Sequence, residues 1–225
     1  MPTIEDIVAR LDAISVQLRA DDGVAAFDRV YLEVTRSVRD HLSAGFFDDP
    51  AFMTDLDVRF AGLFLAAVDA DAAGTQVSRP WAPLFEARSR GGIEPAQFVI
   101  AGMNAHINND LALALVATCV ARARTPQDVL ADYERVNELL AALVRPVRQS
   151  LLDPVVVDAG RPMWPLADLI SSWSIDKARD AAWLHAETLF EVRDLDWLTR
   201  AYEETLGSTV GLLTCQLLLA LPDPP

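Results

Sequence analysis

Five of the seven residues from Asn104 to Asp110 are polar, in the middle of an otherwise apolar run, IAGMNAHINNDLALAL, from Ile100 to Leu115. A helix that is apolar all round is a buried helix. Polar side chains inside it must be hydrogen-bonded, or they cost roughly 2–7 kcal/mol each. The cluster is therefore either a structural polar knot or an active site. At about 100° per residue, His106 and Asp110 share one face, with Met103 in their stripe, while Asn104 and Asn108 form a second i, i+4 pair on roughly the opposite face. The first pair could do acid–base chemistry. Asp110 would accept a hydrogen bond from one imidazole nitrogen and fix the tautomer, leaving the other nitrogen as base or acid toward a substrate. Asn104, Asn108 and Asn109 are the candidates to orient a substrate carbonyl, amine or hydroxyl. Met103 and Trp183 are candidates to line its pocket, along with Phe60, Phe64, Trp81 and Trp164.

Other readings compete with this one. His106 and Asp110 could bridge to backbone carbonyls and helix ends across the core with no reaction attached. His-xxx-Asp on one helical face could instead supply two metal ligands, with His41, His185, Asp132 or Glu187 to complete the site. The chain has only three histidines, and neither HExxH nor a paired Glu-xx-His motif, so no metal is expected. His41, near a helix end, reads as a partner of the helix dipole, and His185 as a partly exposed helical residue. Asp132 reads as part of a solvated face, with Asn137 able to face inward. Arg179 reads as a surface cation laid over a core Trp183. Asp55 and Asp57 point away from each other and make no acid pair. GxSxG, GxGxxG, GxxxxGK[ST] and SxxK are absent, which removes the familiar hydrolase, dinucleotide and P-loop chemistries. Nothing indicates a redox cofactor, and none is expected.

The elements that must position these residues all read as helices. Thr3 and Asp6 form a capping pair for a first helix to about Arg19. A second runs from about Val24 to Ser43 and is stopped by Gly45. Asp49 and Pro50 open a third. The stretch from Ala70 to Pro83 reads as a loop anchored by Trp81, with a short helix to Arg90. The central helix spans about 94–122. Thr125 and Pro126 start the next, with Pro146 as its kink or end. Residues 152–165 form an extended loop that carries Met163 and Trp164 inward. Helices over about 175–192 and 194–221 follow, the last with a kink at Gly207 or Gly211. With no repeat, low-complexity tract or linker, residues 1–225 form one all-α domain of about seven to nine helices around the buried central one.

Composition agrees with that class. The 225 residues, 52% hydrophobic and 23% charged, suffice for one sizeable core. Nineteen basic against 33 acidic residues give a net charge of -14, which repels phosphate backbones and anionic lipids. Nucleic acid and membrane surfaces are thus poor partners, and a small-molecule substrate is the expected one. Cys119 and Cys215 each sit in an apolar run and read as buried free thiols of a reducing cytosol. The start, MPTIEDIVARLDAI, lacks the pattern of a secretory signal. The longest apolar runs fall short of the roughly 20 residues that span a bilayer. A soluble, cytoplasmic protein is expected, in which the apolar stretch Val210–Leu221 suits the core or a homodimer interface equally well.

The string GMNAHINNDLALAL, Gly102 to Leu115, resembles the signature of a mostly actinobacterial family of unknown function and about this length. FFDDPAFMTDLDVRFAGLFLAAVDA from Phe46, the stretch Asp132 to Asn137, and Arg179 with Ala182-Trp183 look similar too. The resemblance implies an all-α domain and a role for Asn104, His106, Asn108 and Asp110, and it supplies no reaction. A distant likeness to helical zinc phosphoesterases fails, because their additional histidine ligands have no counterparts in this chain. The expectation is a cofactor-independent small-molecule enzyme of secondary metabolism, with a pocket inside the bundle. His106 would be its acid/base, in a cyclisation, condensation, isomerisation or hydrolysis. The rivals are a non-catalytic binding or interaction module and a metal-dependent hydrolase.

Overall fold

Helix α1 (Ile4–Gln17) begins at the Thr3/Asp6 capping box. Helix α2 (Gly23–Ser43) begins at Asp22, whose carboxylate accepts the Val24 and Ala25 N–H groups, and the chain leaves it through Gly45 at φ +71°. Helix α3 (Pro50–Ala72) begins at Asp49, which accepts the Phe52 N–H, with Pro50 in its first turn. In this computed structural model, residues 2–140 and 174–220 are described. The expected extended loop over 152–165 with Met163 and Trp164 and the break at Pro146 lie outside the described residues, whereas the last helix ends at Leu217, four residues before the expected Leu221.

Asp132 departs from its expected solvated position. It is buried, and its two oxygens accept the Asp48 and Asp49 N–H groups at 2.8 and 2.7 Å, with Arg135 paired alongside. The start of a helix leaves N–H donors without intrahelical partners, so a carboxylate 84 residues away in sequence serves the chain leading into α3.

After the short α4 (Ala82–Ala87), the central element is helical from 95 to 122 but not uniformly so. Helix α5 (Pro95–Ala105) and helix α6 (Leu111–Arg122) are joined by one π turn, His106–Asp110. There the Leu111 N–H reaches back five residues to the His106 carbonyl, and the turn is wider than an α turn. The two halves then take different neighbours: α5 packs mainly on α2 and α9 (Asp196–Leu217), and α6 on α3 and α8 (Ile175–Val192). Ala123, at φ 51°, ends α6. A 3-10 turn, Pro126–Val129, capped by Thr125 and Asp128, leads into helix α7, over 130–140.

The result is the expected all-α bundle, with no strand among the described residues. One apolar cluster gathers Phe27, Phe64, Trp81 and Leu84. A second gathers Phe52, Leu56, Leu115 and Leu189, and a small third one Ile4, Val38, Leu139 and Leu140. Burying a Phe or Leu contributes roughly 1.5–3 kcal/mol, so these clusters hold the helices to one another. Close approach is part of the packing: a Cβ on Gly102 would stand 2.3 Å from the Phe27 ring.

Helix α9 shows no break at Gly207 or Gly211. A Cβ on Gly211 would fall 2.5 Å from the Arg79 carbonyl, so this glycine admits the loop backbone rather than bending the helix. The inner face of α9 is buried while Leu212, Leu213 and Cys215 are exposed, which corrects the expectation for that thiol. Cys119 is buried as expected, and burial pushes its thiol up to about 12. Among the described residues, no helix is long and apolar enough to cross a membrane.

Candidate active site

The π turn presents His106 and Asp110 to the interior. Both are about 2% exposed, and His106 Nδ1 lies 3.1 Å from Asp110 Oδ2. A carboxylate only accepts, so Nδ1 carries the proton and donates. Asp110 holds its place through two more donors: Trp81 Nε1–H to Oδ2 and Asn109 Nδ2–H to Oδ1, each 2.8 Å. Trp81, fully buried, comes from the loop before α4. The sequence marks it as an anchor or a wall, and its hydrogen bond to the central carboxylate depends on packing that no local pattern shows.

The imidazole ring is walled by aromatics. Phe60 stacks on it with 3.6 Å between centroids, and Tyr31 meets it edge-on at 4.4 Å. Phe27 and Trp81 stand at 5.8 Å. Burial lowers the pKa of His106 from its usual value, more strongly than Asp110 raises it. The ring is therefore neutral at pH 7, with an Nε2 lone pair that no hydrogen-bond donor meets.

His106 lines a cavity of about 100 Å³ at the junction of the three apolar clusters. Met103, expected in the same stripe, lines it as well, together with Tyr31 and Val38 from α2, Leu56 from α3 and Leu140 from α7. Two further polar residues face it: Tyr31, and Asp57, which the sequence dismissed only as half of an acid pair. Tyr31 Oη and Asp57 Oδ2, like His106 Nε2, are buried atoms without a hydrogen-bond partner. Burial alone pushes the Asp57 carboxyl up to about 7. Burial first, and the Asp57 charge second, drive the Tyr31 phenol well above its usual range. Asp55, on the opposite side of α3, pairs with Arg122 instead, in keeping with the expectation that the two aspartates are no acid pair.

The asparagines sit elsewhere. Asn104 Nδ2 donates to the Val210 carbonyl at 3.2 Å and to Thr214 Oγ1 at 3.0 Å, and Asn108 donates to Asn104 Oδ1 at 3.0 Å. With Asn109 on Asp110, none of the three is among the residues lining the cavity. Trp183 packs against Tyr133 at 4.8 Å in the second cluster and is not among them either, while Phe60 is. Arg179 is not a surface cation over Trp183. It is buried, lies 4.1 Å over the Tyr133 ring, and donates to the Tyr133 carbonyl and to Asn137 Oδ1. Asn137 does reach inward, as its neighbours suggested.

The residues proposed to complete a metal site with His106 and Asp110 are engaged elsewhere. His41 Nδ1 contacts the Ser37 carbonyl, His185 Nδ1 the Tyr202 hydroxyl, Asp132 the start of α3, and Glu187 accepts from Gln127. Among the described residues, no three His, Cys, Asp or Glu side chains converge as a metal site.

The arrangement is thus a neutral histidine oriented by a carboxylate, with an acid, a phenol and the Arg179 guanidinium on the wall of the same, otherwise apolar cavity. No curated protein and no solved structure matches this chain. Its sequence pattern does match over residues 4–220, nearly the whole chain, and on that match the protein belongs to the family of unknown function DUF5995.

Proposed function

We propose that this protein is a small-molecule enzyme whose proton-transfer chemistry is carried by His106 in the cavity between the helices. One observation carries the reading: three of the buried polar atoms without hydrogen-bond partners, His106 Nε2, Tyr31 Oη and Asp57 Oδ2, belong to side chains that line one cavity. A buried polar group left unsatisfied costs about 1–3 kcal/mol, and native cores leave few of them. Three at one cavity are what a site that waits for a polar ligand would contain.

In this reading Nε2 takes a proton from the substrate, and the positive charge that forms on the ring is stabilised by Asp110. Trp81 and Asn109 keep that carboxylate aimed. Asp57, with its pKa near 7, returns a proton to the developing oxyanion, matching the rule that a good acid or base titrates near the working pH. Tyr31 donates to the same oxygen. Isomerisation, cyclisation, condensation and hydrolysis of a carbonyl compound all use these steps. The three atoms are covered in this conformation, so substrate entry goes with a shift of the cavity wall.

A second reading, a binding module without turnover, draws on the aromatic rings that enclose His106. One experiment separates the two. A panel of small carbonyl compounds is incubated with the protein in D2O, and deuterium uptake and product formation are followed by NMR. Catalysis by His106 requires uptake or turnover that slows by about 10²–10⁴-fold in His106→Gln. Equal rates in the two proteins would remove the enzymatic role.

A further inference from the structure

We propose that the cavity selects a compact apolar molecule bearing a carboxylate, and that Arg179 on α8 is the residue that selects it. The inference rests on reading the cavity as a small-molecule site.

Arg179 is only 5% exposed and lines the cavity with Val136, Leu140 and Ile175. A guanidinium keeps its charge in proteins, and a charge taken out of water is costly unless it is paired. Arg179 Nη2 donates to the Tyr133 carbonyl and Nε to Asn137 Oδ1, both neutral acceptors. Among the described residues, no carboxylate lies within ion-pair distance of it. The carboxylates whose charge reaches it, Asp176 and Asp180, are exposed neighbours on its own helix. The planar fork has further N–H groups beyond the two in use, and that fork matches a carboxylate in bidentate fashion.

Among the described residues, the rest of the wall offers no counter-ion in contact with Arg179. His106 is neutral and Tyr31 a phenol. Asp57 is the acidic group on that wall, and among the described residues no ion pair joins it to Arg179. An anion at Arg179 would share the cavity with His106 and with apolar wall residues such as Ile107, Leu111 and Leu56. A cavity of about 100 Å³ limits the body of the ligand to something on the order of a benzene ring or a short alkyl chain.

The test is binding, not turnover. Phenylacetate and hexanoate are titrated against phenylacetamide and hexanamide, which have nearly the same shape without the charge, using calorimetry or ligand-observed NMR. In the wild-type protein the carboxylates bind at least tenfold tighter than their amides. In Arg179→Met that preference disappears, and in Arg179→Lys it is reduced. Circular dichroism checks that the variants fold, and the wild-type comparison stands without them. Amides that bind as tightly as the carboxylates, or no binding of any of the four at millimolar concentration, overturn the inference. His106→Gln keeps the carboxylate preference, so a failure of the catalytic reading and a failure of this one give different results.

Discussion

The indole N–H of Trp81 donates to Asp110 at 2.8 Å, across 29 residues of sequence. The carboxylate that orients His106 is thus itself held by a loop residue. Trp81→Phe keeps most of the ring and removes the donor. The variant should lose about 1–3 kcal/mol of stability, seen as a lower midpoint in denaturant. Its His106 Nδ1 resonance should also move. An unchanged imidazole spectrum would mean that Asp110 needs no help from the indole.

The state of His106 is open to direct measurement. Burial lowers its pKa, so the imidazole should stay neutral from pH 6.5 upward, with the proton on Nδ1 and a bare Nε2. Nitrogen-15 NMR distinguishes the two nitrogens. An imidazolium at pH 7, or a proton on Nε2, contradicts the base assigned to this residue.

Asp57 predicts an uncommon pH profile. Its carboxyl is raised from 3.8 to about 7 in the folded protein, so between those values the native state binds more protons than the unfolded one. The Asp57 contribution to stability must then fall as pH rises through that window and level off above about 7. A shift of roughly three units corresponds to about 4 kcal/mol. Asp28, raised to about 6 by burial, acts in the same direction and is present in both proteins compared. His106 and His185, both lowered by burial, act the other way and are likewise common to the proteins compared. Asp57→Asn should therefore gain on the wild type as pH increases from 4 to 7. Parallel melting curves across that range would place Asp57 in a better solvated site than described.

Asn104 separates holding from chemistry. Asn104→Ala removes two hydrogen bonds to α9 and strands Asn108, at a cost of about 1–3 kcal/mol. It should leave the His106 nitrogen resonances where they are. A shift of those resonances comparable to that in Trp81→Phe would tie the asparagine pair to the site after all.

Local sequence carried much of the fold because caps and breakers are local. Thr3 with Asp6, Asp49 with Pro50 and Thr125 with Pro126 each start a helical segment where expected. The His106/Asp110 pair was readable for the same reason, since partners one turn apart need no knowledge of the rest of the chain. What escaped depends on distant packing. Asp57 looks like Asp55 in sequence, and only the contact of α3 with α2 and the π turn makes one buried and the other an ion-pair partner. Asp132 serves backbone donors 83 and 84 residues away. Arg179 found Tyr133 rather than the Trp183 beside it in sequence. The π turn has no residue signature comparable to a cap, and its residues fit a plain α-helix equally well.

That turn has a consequence for how the chain tolerates changes in length. In a regular helix each residue advances about 100°, so α6 is set out of phase with α5 by the one residue that His106–Asp110 holds in excess. Deleting a single residue there would restore an unbroken α ladder and relieve a wide turn. The same deletion would swing every side chain from Leu111 to Arg122 around the axis and unseat α6 from α3 and α8. The irregular turn is the phase correction that lets one continuous rod fit two differently placed sets of neighbours.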